Sequence, residues 1–249
     1  MKNKIKQIFK KEQFNPSLLG IFINPFYLAR KGLFQAIKGF SHHIQGQTLD
    51  IGCGQKPYQN LFATDTYIGL ELDTPDNRAK KQADIFYDGV HMPFESESFD
   101  SIICNEVLEH VFNPTTFLAE IHRILKSNGG GGGRLLISLP FVWDEHEQPY
   151  DYARYSSFGI KHLLQTHGFE ILSHQKTNNG VEVIFQLINA YIYKKLCTKG
   201  KILRFITTLS LCAIFNLLGV ILGRVLPKND DLYLDNVLIA KKIPSTKQE

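Results

Sequence analysis

Sulfur in paired or motif spacing is what this 249-residue chain has least of. Its four cysteines, at positions 53, 104, 197 and 212, are scattered. None has the short spacing of a metal-binding or redox motif, so neither a disulfide framework nor a metal site is expected, and a reducing cytosol is. A cleavable leader is also missing from the pattern. No small-residue cleavage site follows the lysine-rich start, and Asn15-Pro16 and Asn24-Pro25 interrupt the apolar stretch behind it, so secretion is not expected. Basic charge is scarce outside one place. Lys2, Lys4, Lys6, Lys10 and Lys11 together exceed the formal net charge of +4, which leaves the remainder of the chain at −1. No basic stripe with interleaved aromatics continues into the body, which argues against a nucleic-acid groove. The arm suits either an anionic membrane surface, with Ile5, Ile8 and Phe9 among its lysines, or a solvated terminus.

What is present is enough apolar sequence, 43% of residues, for one α/β domain with additions. The chain is organised around Thr48 to Gly54, TLDIGCG, where a buried-strand pattern gives way to glycines within a few residues. Leu49 and Ile51 suit a strand end, and Gly52 and Gly54 allow a tight turn whose backbone can touch a ligand. The third glycine of the dinucleotide fingerprint is missing, with Lys56-Pro57 in its place, which disfavours a nicotinamide enzyme. A second apolar strand, Tyr67 to Glu71, ends in a carboxylate about 20 residues on, the spacing at which an acid meets ribose hydroxyls.

An acid, a hydrophobic residue and GxG, followed by an acid ending strand two, resembles the class I S-adenosylmethionine-dependent methyltransferases. The likeness, of the methyltransferase type 11 kind, continues in order through His91-Met92-Pro93-Phe94, Ser98-Phe99-Asp100, Asn105 to His110 and Glu120 to Lys126. It covers roughly Gln47 to Gln175 plus a final strand. The resemblance implies a Rossmann-like, doubly wound, mostly parallel seven-stranded α/β sheet that binds S-adenosyl-L-methionine (SAM). Mapped onto this sequence, the cofactor contacts it implies are Asp50, Gly52, Cys53, Gly54, Glu71, Asp88, Asn105 and Glu106. Asp88 fits the adenine contact better than Asp84, which is expected to be exposed.

Strands are expected over Tyr67–Leu70, Asp84–Asp88, Ser101–Cys104, Arg134–Leu139, Phe169–His174 and Leu234–Ala240. Helices are expected from Asn24-Pro25 through Lys38, over Pro57–Phe62, from the Asn113-Pro114 cap to Leu125, and from Ser156 to His167. Gly129 to Gly133 reads as a flexible connector before strand five. The domain reading is a basic arm and helical cap over 1–46, a core over 47–177 and 232–243, and an apolar helical insertion over 178–231. Phe205 to Gly223 carries no charge and is long enough to be scored as a membrane span. A single crossing would strand the last strand across the membrane from its own sheet. A hairpin that either dips into one leaflet or serves for packing or dimerisation is therefore expected, in a cytoplasmic protein that is peripheral on the inner membrane face in the first case.

Methyl transfer from a sulfonium is an in-line displacement that needs alignment and, for a hydroxyl acceptor, removal of a proton. Pro140 to Tyr155, after strand five, concentrates aromatic, acidic, His and Arg side chains. It is similar to the EH…PxDxxRY segment of methyltransferases associated with bacterial cell-envelope polysaccharide pathways. His146 is the candidate proton acceptor, positioned by Glu145 or Asp151, and Arg154 the candidate anion contact for the acceptor. The plainer alternative is an Asp151–Arg154 pair that stiffens the loop, with His146 a structural hydrogen-bonding residue. His110, taken to open the helix after strand four, is a second candidate. The acceptor class is a small or lipid-linked metabolite, an envelope glycan or a polyprenyl quinone precursor; a cofactor-holding scaffold is the non-enzymatic alternative.

Overall fold

The computed structural model describes residues 2–127, 132–196 and 200–244. In chain order these form α1 (Lys2–Phe14), α2 (Gly20–Ile23), α3 (Tyr27–Phe40), β1 (Gln47–Ile51), β2 (Thr66–Leu72), α4 (Pro75–Lys80), β3 (Ile85–Tyr87) and β4 (Ser101–Asn105). There follow α5 (Pro114–Ile124), β5 (Arg134–Pro140), α6 (Ser157–Thr166), β6 (Phe169–Lys176), α7 (Val181–Tyr191), α8 (Lys201–Thr207), α9 (Ala213–Val225) and β7 (Asp235–Lys242). The strands make one sheet in the order β3-β2-β1-β4-β5-β7-β6, and the four pairings from β3 across to β5 are parallel. This is the Rossmann-like, mostly parallel seven-stranded fold expected from the sequence.

The chain divides into two compact units, Ile37–Gln175 with Asn236–Glu249, and Met1–Ala36 with Lys176–Asp235. In the first, β1, β4 and β5 are buried along nearly their whole length, the pattern of strands covered on both faces. Phe117, Leu118, Ile121 and Ile124 of α5 and Ile160 and Leu164 of α6 join the strand side chains in one core. Each of these helices starts on a side-chain cap: Asn113 accepts from the Thr116 N–H at 3.3 Å ahead of Pro114, and Ser156 from the Gly159 N–H at 3.2 Å. α4 starts the same way, with Thr74 Oγ1 accepting from Asn77 N–H at 3.1 Å and Pro75 at the first helical position. The helix expected over Pro57–Phe62 is instead a single 3₁₀ turn, Gln59–Leu61. Most of the Gly129–Gly133 connector lies outside the described residues.

The second unit joins the N-terminal helices to the helices between β6 and β7, which the sequence reading kept apart. α3 begins at Tyr27 rather than at Asn24-Pro25, because Asn24 Oδ1 accepts from the Phe26 N–H at 2.8 Å and closes a turn first. Inside the unit α7 packs on α9, and polar side chains stitch the helices together. Asn189 Nδ2 donates to Asn216 Oδ1 at 2.8 Å, Asn216 Nδ2 donates to the Ile21 and Asn24 carbonyls at 2.9 Å each, and Gln186 Oε1 accepts from the Ala29 N–H at 3.0 Å. All three side chains are fully buried. Ile202–Val225 is long and apolar enough to span a bilayer by length and composition, with one third of its most apolar stretch buried in the protein. Its outer side carries Ile202, Ile206, Leu209, Ile214, Leu217 and Ile221 exposed.

Candidate active site at the carboxyl ends of the central strands

The parallel register of β1 and β2 pairs Asp50 with Gly69 and Ile51 with Leu70, so the chain leaving β1 turns directly beside Glu71. Gly52 and Cys53 both donate their N–H to the Leu70 carbonyl, at 2.9 and 3.3 Å, and Gly54 N–H donates to Glu71 Oε2 at 3.1 Å. This turn requires φ of +66° at Gly52 and +53° at Gly54, a region L-residues rarely adopt. The two glycines differ in what surrounds them. A Cβ on Gly52 would stand 2.4 Å from Val107 Cγ2, whereas a Cβ on Gly54 would meet nothing within 4 Å. Gly54 therefore faces open space, the room a ligand lying along the loop requires. The other Glu71 oxygen accepts from Leu72 N–H at 3.2 Å, so the carboxylate is fixed at the mouth of that space.

Asp50 lies behind the loop, 5% exposed, and accepts from the Tyr67 hydroxyl at 2.7 Å. Burial pushes its carboxyl up to about 7 despite the Tyr67 hydrogen bond. Asp50 thus serves the loop from beneath. Cys53 is also buried, and burial pushes its thiol up to about 12, so it contributes backbone and packing rather than a thiolate. Asp84 is half exposed yet engaged: it accepts from Gly69 N–H at 2.7 Å and pairs with Lys56 Nζ at 2.5 Å. It ties the residue standing where the third glycine would be to the middle of β2. Asp88, the expected adenine contact, is exposed, and its Oδ1 accepts from the Val90 and His91 N–H groups at 2.8 Å each. Those bonds depress its carboxyl below the usual range.

At the end of β4, Asn105 Oδ1 is buried with no hydrogen-bond partner among the described residues. Glu106 follows in a left-handed conformation, φ +53°, its N–H on the Ser138 carbonyl at 2.9 Å and its Oε1 accepting from the Ser138 hydroxyl at 2.8 Å. Backbone strain of this kind concentrates at ligand sites. The chain then makes a 3₁₀ turn, Leu108–His110, and α5 does not begin until Pro114. His110 therefore closes a short turn and does not open the helix.

The segment after β5 folds back over this turn. Tyr152 N–H donates to the Glu109 carbonyl at 2.8 Å, and His110 Nδ1 lies 2.7 Å from the Tyr150 carbonyl. His146 is positioned by Asp151, not Glu145: its backbone N–H donates to Asp151 Oδ2 at 2.9 Å, and its ring Nδ1 lies 3.2 Å from the same oxygen. Burial, then His110, lowers the His146 pKa, which keeps the ring neutral near pH 7. Arg154 grips Asp151 with both terminal nitrogens, at 2.5 and 2.6 Å, and also donates to the Ala153 and Asp144 carbonyls. This clasp holds the Asp151 carboxyl down at about 2. The guanidinium read from sequence as an anion contact thus pairs with Asp151 through both terminal nitrogens.

The two candidate histidines come together, their ring centroids 4.8 Å apart and nearly perpendicular. Between them stands Glu109, fully buried, with Oε1 3.7 Å from His110 Nε2 and 3.9 Å from His146 Nε2. Nothing in the linear pattern singles out these three as a set, because His146 is 36 positions from its neighbours and only the fold-back brings it near.

The strand order, the glycine turn on β1 and the carboxylate near the end of β2 have the arrangement of a class I methyltransferase fold. Residues 49–130 match the methyltransferase domain family. Two uncharacterized proteins of Methanocaldococcus jannaschii are similar: one is 36% identical over 96 residues, 37% of this chain and 42% of that one. The other is 28% identical over 105 residues, 41% and 49% of the respective chains, so the match spans about half or less of these relatives. Among solved structures, a Haemonchus contortus phosphoethanolamine N-methyltransferase is similar at TM-score 0.54 and 20% identity, covering 96% of this chain and 57% of that one. A [4+2]-cyclase is similar at TM-score 0.53 and 17% identity, with 85% and 80% covered. These likenesses concern the fold.

Proposed function

We propose that this chain binds SAM against the β1 turn and transfers its methyl group to a hydroxyl of a small or lipid-linked metabolite. The observation that carries the first half is the Gly54 turn, open on its outer side and closed on its inner side by Glu71. The Glu71 carboxylate would take the ribose hydroxyls, and Asn105 Oδ1, buried and lacking a partner, would meet the methionine end. Because a [4+2]-cyclase shares the fold, the fold alone does not choose the reaction, and transfer rests on residues beyond β4 and β5. There His146, neutral and oriented through Asp151, supports proton removal from an acceptor hydroxyl.

The acceptor classes that fit are an envelope glycan, often lipid-linked, and a polyprenyl quinone precursor. The exposed apolar stretch of Ile202–Val225 favours either one over a freely soluble metabolite, since it supports attachment to an anionic membrane surface. The exposed Lys4, Lys6, Lys10 and Lys11 of α1, interspersed with exposed Ile5, Ile8 and Phe9, support the same placement.

Calorimetric titration with SAM tests the cofactor half. Wild type is expected to bind, and Gly54→Asn, whose side chain tolerates the left-handed φ of +53° and enters the open space, is expected to lose binding while keeping its circular dichroism spectrum. Equal affinities in the two folded proteins would remove the assignment. Incubation of membrane extract with methyl-labelled SAM then identifies the acceptor as the labelled product.

A further inference from the structure

We propose that Glu109, His110 and His146 form a binding site for one divalent transition-metal ion, of which Zn²⁺ suits the donors best. The three ligand atoms lie within 4.8 Å of one another. Two donors bound at about 2.1 Å to one ion can be no more than about 4.2 Å apart. The two carboxylate-to-imidazole separations, 3.7 and 3.9 Å, already meet that limit. At the tetrahedral angle the donors of one ion stand about 3.4 Å apart, so the imidazole pair closes by about 1.4 Å at most, a side-chain adjustment.

The outward contacts of both rings set the tautomer that a ligand needs. His110 Nδ1 lies 2.7 Å from the Tyr150 carbonyl, which can only accept, so the proton sits on Nδ1 and the Nε2 lone pair faces Glu109. His146 Nδ1 lies 3.2 Å from Asp151 Oδ2 and 3.3 Å from the Asp144 carbonyl, which favours the same arrangement. Arg154 Nη2, 3.3 Å from that nitrogen, is itself held by Asp151 at 2.6 Å. A ring whose far nitrogen is anchored on a carbonyl or carboxylate is the usual outer shell of a metal-bound histidine.

The histidine side chains are 21% and 28% exposed, which gives an ion a way in and leaves coordination positions open toward solvent. Two imidazoles with one carboxylate suit Zn²⁺, Fe²⁺ or Mn²⁺ and not the oxygen-seeking Mg²⁺ or Ca²⁺. An ion there would occupy the His146 nitrogen that the proposed function uses as base, and would supply in its place a Lewis acid that eases loss of the acceptor hydroxyl's proton. The binding itself does not rest on that reading.

The experiment is calorimetric titration of the full chain, stripped with chelator, with ZnCl₂ and in parallel with MgCl₂. The expected result is one Zn²⁺ per chain, Mg²⁺ at least 100-fold weaker, and a loss of at least 100-fold in Zn²⁺ affinity for His110→Ala and for His146→Ala. Replacement by Co²⁺ should give visible absorption bands that both variants lack. The two histidines are partly exposed, so these variants are chosen over Glu109→Gln, and matched circular dichroism spectra confirm that they are folded. Zn²⁺ affinity and stoichiometry unchanged in both folded variants, or no Zn²⁺ binding by wild type, would overturn the site. SAM titration of the same samples separates the two readings: SAM binding without Zn²⁺ binding removes the metal site alone, and the reverse removes the cofactor assignment alone.

Discussion

Replacing Asp50 by Asn should make the protein more stable above pH 7 and leave it little changed near pH 4. Asp50 is 5% exposed, and burial raises its carboxyl from 3.8 to about 7, with the Tyr67 hydrogen bond and Lys56 opposing the rise and Glu71 adding to it. A group whose folded pKa is raised contributes stability that is fully present below its unfolded pKa. That contribution drains away as pH climbs through the folded value. The window is therefore pH 4 to 7. About 3 units at roughly 1.4 kcal/mol each give about 4 kcal/mol as a ceiling, reached above pH 7. For a chain of this length that corresponds to a gain in Tm of roughly 8 °C or more. Asn cannot titrate, and its side-chain oxygen still accepts from Tyr67. Comparing Tm of the two ligand-free proteins at pH 5, 6, 7 and 8 isolates Asp50, because every other carboxylate cancels in the difference. A gap that opens with pH is expected. A gap that stays constant across the series would refute the argument that the buried carboxyl holds its proton.

Gly52→Ala should destabilise the core by about 1 to 3 kcal/mol through the positive φ and the Val107 contact. Adding Val107→Ala should recover part of that loss, and denaturant midpoints of the single and double variants measure it. Asn216→Ala should strand the Ile21 carbonyl, at about 1 to 3 kcal/mol, and remove one bond each from Asn189, which keeps the Cys212 carbonyl, and from the Asn24 carbonyl, which keeps the Tyr27 N–H. Hydrogen exchange over 20–29 and 181–225 should then quicken, and an unchanged pattern would show the network to be dispensable. Wild-type protein should sediment with anionic vesicles at low salt and partly dissociate at about 0.5 M, where charge is screened within about 4 Å. Protein that stays in the supernatant at low salt would exclude the membrane surface.

Local chemistry made the nucleotide half of the site legible. Asp50, the two glycines and Glu71 are close in sequence, and each needs only its neighbours to do its work, so motif and geometry coincide. The caps at Asn113 and Ser156 were readable for the same reason. Three features escaped because their causes are remote. Arg154 looked available from composition, but the tight turn around Asp151 takes both of its terminal nitrogens. Asn189, Asn216 and Gln186 join the helices between β6 and β7 to residues 21–29, a role that depends on partners far off in the sequence. Glu109 stood beside His110 without signalling a cluster, since its third member arrives through the fold-back after β5.

The discontinuous build of the second unit sets a timetable for the nascent chain. Residues 1–36 leave the ribosome first, yet their packing partners lie in 176–235. Translation of the residues between takes roughly 7 to 30 s at about 5 to 20 residues per second. Throughout that interval Ile21, Tyr27 and Leu28, which end up buried against Phe185 and Val220, have no native cover. Whatever shelters them, a chaperone or a bilayer surface, acts before the helices from α7 to α9 have been made.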